Sequence, residues 1–299
     1  MRRLATKTLE KIEAYLERDQ GNAYRKLLRD IMPQLDDAYR ENDSEHRTHL
    51  GASLIGGKCP RKLWYTFRWS TRSKFPGRII RLFNRGHLEE GRFVALLRMI
   101  GCEFYQFDEN GDQFRIAGAD GHYGGGLDGV VVGVEEVDGV PILAEFKTHN
   151  SKSFEKLVNE GVYSAKNEHY VQMNQYMGHW SLPFALYLAT NKDNDELYGE
   201  IVTYDPVVDQ YARQRAERII YADVPPARIS KTSTWYECKY CEHRPVCWNK
   251  QSPDRTCRTC VWSKPTENKL WTCGFHSRTL DKEAQLAACP NYTQVNTDA

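Results

Sequence analysis

The chain has 299 residues, 40% of them hydrophobic, 27% charged and 12% aromatic, with a formal net charge of +1. That balance is globular, which excludes a low-complexity chain, and apolar runs such as FALYLA fall far short of the ~20 residues that cross a bilayer. Net charge says little about partners, but its distribution says more. From His46 to Leu88 there is no Asp or Glu, while Arg47, Lys58, Arg61, Lys62, Arg68, Arg72, Lys74, Arg78, Arg81 and Arg85 are interleaved with Trp64, Tyr65, Phe67, Trp69 and Phe75. Cations neutralise phosphates and aromatic rings stack on unpaired bases, so this run points to nucleic acid. The plainer alternative is a solvated basic surface over a partly aromatic core.

Taken in chain order, residues 1–45 carry Leu4, Leu9, Ile12 and Leu16 near one face and predict one or two helices. The basic start, MRRLATKTLEKIEAYLERDQ, is followed by no apolar h-region, so the expected location is the cytoplasm, where thiols stay reduced. A helix is predicted from about Gly86 to Ile100, with Leu88, Val94, Leu97 and Met99 as its apolar positions. Leu127–Lys147 holds two β-rich runs around the acidic EEVDG and predicts an antiparallel hairpin. Ser153–Trp180 reads as helical and broken near Gly161. FALYLAT and LYGEIVTY flank NKDNDE as a second hairpin, and residues 206–222 read as a helix that ends before Pro225-Pro226. Beyond Trp235 the chain becomes cysteine-rich. This order predicts an α/β (α+β) fold: a mixed central sheet flanked by helices, plus a small cysteine-rich C-terminal module. The expected segments are 1–45, helical; 46–250, the main domain; and 251–299, a zinc-binding module.

The chemistry-bearing residues lie in the first hairpin. Glu145 and Lys147, two apart on a strand, project to one face, and Phe146 points into the other. A tight turn at Asp138-Gly139 would set Asp128 opposite His149. That leaves Asp128 and Glu145 four residues apart, roughly 13 Å, too far to share a cation. Sliding the register by four residues sets Asp128 opposite Glu145 across a loop of residues 134–139. The polar EEVDG suits that longer loop, and this register is the prediction. Two carboxylates so placed can hold Mg2+ or Mn2+, which acidifies a bound water and neutralises charge on a phosphate. Lys147 then orients or deprotonates the water, or stabilises the pentacovalent state. Alone, an E-x-K on a strand equally describes an exposed ion pair.

Two further segments add to it. RGHLEE places Glu90 four residues after Gly86, and HYVQMNQY spaces His169, Gln172 and Tyr176 along one helical face. G-x-x-x-E, then D, then E-x-K, then H-x-x-Q-x-x-x-Y, in that order, resembles the RecB-like branch of the PD-(D/E)XK nucleases, over roughly residues 50–250. The resemblance implies a restriction-endonuclease-like fold. Glu90, Asp128 and Glu145 would be metal ligands, with His87 standing near where some relatives use a histidine. Lys147 would be catalytic, and Gln172 and Tyr176 would support the site or the DNA backbone. The family's proline before the first Asp is replaced by Leu127. The implied activity is Mg2+/Mn2+-dependent exonucleolytic hydrolysis of DNA from its ends, acting on ends or single strands in recombination, replication or repair, with a protein of those pathways as partner. A CRISPR-adaptation-type nuclease and a catalytically inactive DNA-binding scaffold are the alternatives.

Nine cysteines in a reducing compartment point to metal ligation before disulfides. Cys238, Cys241 and Cys247, with Cys59 far upstream, resemble the iron–sulphur branch of that superfamily, the AddB-type and CRISPR-adaptation exonucleases, and imply a [4Fe–4S] cluster closing the nuclease domain. Cys257, Cys260, Cys273 and Cys289 form a plausible Zn2+ set, in which His276 can replace one thiolate. Together these features suggest a phage-like version of the family, with host-cell cytoplasm as its location. A different partition pairs Cys238-x2-Cys241 with Cys257-x2-Cys260 as a zinc ribbon. Cys102, in the apolar LLRMIGCEF, reads as a core thiol.

Overall fold

The computed structural model describes residues 2–35, 46–72 and 75–297. Lys74 of the basic run, and residues 36–45 at the end of the expected N-terminal helical segment, lie outside them. In chain order the helices are α1 (Thr6–Asp19), α2 (Asn22–Leu35), α3 (Pro60–Phe67), α4 (Gly77–Met99), α5 (Ser151–Ala165), α6 (Asn167–Trp180), α7 (Pro206–Ile220), α8 (Tyr236–Lys239), α9 (Arg244–Trp248) and α10 (Lys282–Ala287). The strands are β1 (Arg3–Leu4), β2 (Leu50–Gly51), β3 (Glu103–Tyr105), β4 (Arg115–Gly118), β5 (Tyr123–Gly126), β6 (Gly129–Val132), β7 (Ile142–His149), β8 (Phe184–Asn191), β9 (Leu197–Thr203), β10 (Ser263–Pro265), β11 (Trp271–Cys273) and β12 (Arg278–Leu280). No helix among the described residues is long and apolar enough to cross a membrane. Two compact units form, each from non-consecutive stretches: 1–42, 75–116 and 126–209 in one, and 43–74, 117–125 and 210–299 in the other.

The first unit is built on a six-stranded sheet of order β1-β9-β8-β7-β6-β3. β6–β7 and β8–β9 are antiparallel, while β7 and β8 run parallel and are joined through α5 and α6, so the sheet is mixed. A parallel pair needs such a helical crossover, whereas NKDNDE is short enough to close a hairpin. α1, α2 and α4 cover one face, burying Ile12, Phe93 and Leu97 with Ile142, Ala144 and Phe146 of β7. Phe146 stacks on both Phe93 and Phe104, at centroid distances of 5.0 and 5.7 Å. α5 and α6 pack on β7, β8 and, for α5, β9. Gly161 breaks α5 at φ 76 and ψ 172, backbone that only glycine adopts readily. The Val162 N–H at this break donates to Glu200 of β9 at 2.9 Å. Cys102 is a core thiol, donating to the Gly133 carbonyl at 3.5 Å and pushed up to about 11 by burial.

α4 begins nine positions before the expected Gly86. Its leading part carries Ile80 and Phe83 exposed, at 56% and 49%, and so lacks the buried stripe that marks a helix in sequence. Burial, and with it the apolar period, starts only at Glu89 and Gly91.

The second unit contains the paired strands β2 and β5, the three-stranded sheet β10-β11-β12, and α3. Its centre corrects the expectation of stacking aromatics. Trp64, Tyr65, Phe67 and Trp69 are at most 1% exposed and form core, so none presents a ring to a base. Arg61 and Arg68 are buried too. Arg68 donates to the carbonyls of Arg258, Ser263 and Ala222, and Arg258 to those of Phe67 and Thr48, with its guanidinium 3.8 Å from the Trp69 ring centre. Buried cations hydrogen-bonded to carbonyls and set over aromatic faces are structural. Arg47, Lys58, Arg72, Arg78, Arg81 and Arg85 remain as the exposed part of the basic run.

Candidate active site

The β6–β7 ladder pairs Gly129 with Ala144 and Val130 with Leu143, which sets Asp128 opposite Glu145. That is the longer-loop register, and the connection carries a short 3-10 turn at Glu135–Val137 followed by Asp138 and Gly139 at positive φ. Phe146 sits in the core, and parity turns Glu145 and Lys147 to the other face. The Lys147 ammonium donates to Glu145 and, at 3.0 Å, to the Phe146 carbonyl. The Phe146 N–H donates to Asp128 Oδ2 at 2.7 Å, tying the carboxylate to the strand that carries Glu145 and Lys147.

Glu145 is fully buried, and its Oε2 has no hydrogen-bond partner. Burial and the charge of Glu145 push Asp128 up to about 8, with Glu90 adding to the repulsion and Lys147 opposing it. Burial likewise raises Glu145, against the pull of Lys147. Burial alone would lower Lys147, but the charges of Glu145 and Asp128 outweigh it and hold the ammonium protonated. Glu90, on α4, therefore lies within electrostatic reach of all three. His87, one turn before it, stands with Nδ1 3.6 Å from Glu90 Oε1 and is raised by that contact. Glu90, Asp128, Glu145, Lys147 and His87 are thus neighbours. Three carboxylates that repel one another beside a single ammonium form an environment a divalent cation would relieve. Even so, no group of three or more His, Cys, Asp or Glu among the described residues is drawn tightly enough to hold a metal ion.

On α6, Gln172 and Tyr176 are buried and hydrogen-bonded to each other at 3.4 Å. His169 reaches the Tyr187 hydroxyl at 2.9 Å, and His149 reaches the same oxygen at 2.9 Å. Tyr187 is the β8 partner of Glu145 in the parallel ladder, so this triad flanks the carboxylates. Burial first, then the charges of nearby lysines, lower His149 to about 3 and His169 to about 2, and both rings are neutral. His149 and Tyr187 were not singled out in the sequence. FALYLAT reads as core, and only the parallel register, invisible to local pattern, puts its tyrosine beside Glu145.

Eight of the nine cysteines fall in the second unit, Cys102 lying in the core of the first. Cys59 caps α3, its Sγ accepting from the Lys62 N–H at 3.4 Å. Burial raises it, with Cys238 and Cys247 adding their repulsion, and Cys59 in turn acts on Cys241. Cys257 is raised by burial and by Cys260, Cys289 and Cys273. Cys59 thus lies within electrostatic reach of Cys238, Cys241 and Cys247, and Cys257 of Cys260, Cys273 and Cys289, while neither set is drawn tightly enough to hold a metal ion among the described residues. His276 is exposed, and its backbone N–H donates to Cys273 Sγ at 3.5 Å.

No family model and no curated protein significantly matches the chain. Among solved structures it is similar to an alkaline exonuclease (LHK-Exo) from Laribacter hongkongensis, at 12% identity and TM-score 0.41, over 57% of this chain and 86% of that one. It is similar to LHK-Exo in complex with dAMP at 15% identity and TM-score 0.43, with the same coverage. It is also similar to SSO0001 at 15% identity and TM-score 0.39, over 78% of this chain and 100% of that one. Likeness at this level establishes neither a shared family nor a shared activity.

Proposed function

We propose that the chain is a metal-dependent deoxyribonuclease that hydrolyses phosphodiester bonds from DNA ends, of the RecB-like PD-(D/E)XK type. The observation that carries the reading is the register that places Asp128 opposite Glu145 with Lys147 on the same face. The residues fit a hard divalent cation: the donors are carboxylate oxygens, and the buried Glu145 Oε2 lacks any partner. Asp128, Glu145 and Glu90 would hold Mg2+ or Mn2+, with His87 beside Glu90. When bound, the ion supplies an acidified water and neutralises charge at the phosphate.

The chain's own residues then act on the substrate. Lys147, kept protonated by its acidic neighbours, stabilises negative charge developing on the scissile phosphate as an electrostatic partner. Asp128, anchored by the Phe146 N–H, and Glu145, locked in the sheet, keep the acidic face in place. The neutral His149–Tyr187–His169 group flanks that face without adding charge. In the second unit, Cys59, Cys238, Cys241 and Cys247 would hold an iron–sulphur cluster, and Cys257, Cys260, Cys273 and Cys289 a zinc ion. Exonucleolytic direction and a role in recombination, replication or repair follow from the sequence resemblance alone.

The test compares end-labelled linear DNA with closed circles, with and without Mg2+ or Mn2+, using wild type and Lys147→Ala. Cleavage of linear DNA that needs the cation and is lost in the variant, whose near-ultraviolet circular dichroism is unchanged, supports the reading. Cation-independent cleavage, or full activity in Lys147→Ala, overturns it. Cutting of closed circles replaces exonuclease with endonuclease.

A further inference from the structure

We infer that the second unit carries a binding groove for single-stranded DNA, made of none of the residues of the carboxylate site. The inference goes beyond the nuclease reading and rests on it only for the choice of DNA as the strand. The groove has a volume of about 460 Å³ and is lined by Lys58, Pro60, Tyr211, Arg215, Arg218 and Ile219, with Pro226 closing its rim. Tyr211, Arg215 and Arg218 recur at i, i+4 and i+7 of α7, so one helix face presents a ring followed by two guanidinium groups. Buried Ile219 forms an apolar floor.

The lining holds three cations and no carboxylate. Lys58 is shared with Glu237, 3.2 Å away, so the charge available to a ligand rests on the arginines. Arg215 is fixed by a hydrogen bond to the Gly57 carbonyl, and Arg218 is exposed. The Tyr211 ring is 53% exposed although α7 is otherwise well packed, with Ala212, Ala216 and Ile220 buried. The rim is also fixed. Arg61 donates to the Pro226 carbonyl at 2.9 Å, and Trp64 Nε1 to that of Ala222 at 2.9 Å. A rigid recess of this size suits about one nucleotide. Arginine forks match phosphate oxygens, and a bare tyrosine face gives an unpaired base its stacking partner. The ring is what selects a single strand, since bases in a duplex already stack on one another.

The experiment measures fluorescence anisotropy of a labelled oligothymidylate with the full chain carrying Lys147→Ala, in buffer without added divalent cation, across a salt series. Tyr211→Ala weakens binding about tenfold. Arg218→Ala flattens the dependence of log affinity on log salt by about 0.7, the share of one phosphate contact. Unchanged affinity and unchanged salt slope in both variants, no binding by the parent, or equally tight binding of blunt duplex would each overturn the inference. So would displacement of the oligomer by inorganic phosphate at comparable concentration, which would mark a plain anion site. Binding through these residues by a chain that never cleaves DNA keeps the groove and removes the nuclease. Cleavage with binding indifferent to Tyr211 and Arg218 does the reverse.

Discussion

Replacing Asp128 with Asn should stabilise the protein while removing its proposed activity, and the sign follows from the charges around it. Burial and Glu145 raise Asp128 from the ordinary 3.8 to about 8. The folded chain therefore keeps that proton at neutral pH, and the unfolded chain releases it. An acid whose folded pKa is raised contributes stability that is complete below the unfolded value and lost as pH climbs through the folded one. At pH 7 the gap from 3.8 is about three units, or a ceiling of about 4 kcal/mol against folding. Asparagine cannot ionise, and its amide oxygen still accepts from the Phe146 N–H. Repacking and a weaker hydrogen bond offset about 1–2 kcal/mol of the gain. About 2 kcal/mol should remain, which for a chain of this size raises the melting temperature by about 3 °C. Thermal melts without added divalent cation, at pH 4 and pH 7, check this: the variant melts higher at pH 7, and the difference closes towards pH 4. Mg2+ then raises the wild-type melting temperature and leaves the variant nearly unmoved. A variant that melts at or below wild type at pH 7, or a gap independent of pH, would refute the crowding of carboxylates on which the site is built.

Three other outcomes are expected. Phe146→Ala removes the middle ring of the Phe93–Phe146–Phe104 stack and should cost about 3–5 kcal/mol in urea unfolding. Gly161→Ala places a Cβ 2.7 Å from Arg2 Cδ on a backbone of φ 76, and should cost about 1–3 kcal/mol in the same assay. Elemental analysis of anaerobically purified protein should find both iron and zinc, with Cys247→Ser losing the iron and Cys273→Ser the zinc; zinc without iron would favour the ribbon that joins Cys238 and Cys241 to Cys257 and Cys260.

Sequence pattern reached furthest where one physical constraint had few solutions. The side-chain period of two, together with the need to bring two carboxylates together, left one register for the first hairpin, and the ladder from Gly129–Ala144 to Val131–Ile142 has it. Gly161 signalled a break because only its backbone fits there. Pattern failed where burial depended on distant segments. Trp64, Tyr65, Phe67 and Trp69 sit among arginines and so looked like a nucleic-acid surface. In the fold, both terminal nitrogens of Arg68 donate to carbonyls of Ala222, Arg258 and Ser263, and the rings become core. No local rule foresees that a stretch near residue 65 completes its hydrogen bonds almost two hundred residues later. The leading part of α4 was missed for the opposite reason: it is a helix with an exposed apolar side.

The cost of the carboxylate site is itself an argument about its role. Glu145 lies in the middle of β7, one of the two longest strands of the sheet, fully buried, with one oxygen satisfied by Lys147 and the other by nothing. An unsatisfied buried acceptor costs about 1–3 kcal/mol and more when charged, so a leucine at this position would make a more stable sheet. Lys147 lessens that cost, and Asp128 and Glu90 then crowd further acids into the same place, which pushes Asp128 up to about 8. A buried charge with a structural role is matched by partners, as Arg258 is by the carbonyls of Phe67 and Thr48 and by Gln285 Oε1 in the second unit. Here acids outnumber the single ammonium, and the imbalance is held rigid by Phe146, whose ring is locked in the core and whose N–H grips Asp128. An arrangement that stays destabilised unless a cation arrives, and that the core is built to hold still, is better explained by what it binds than by what it contributes to folding.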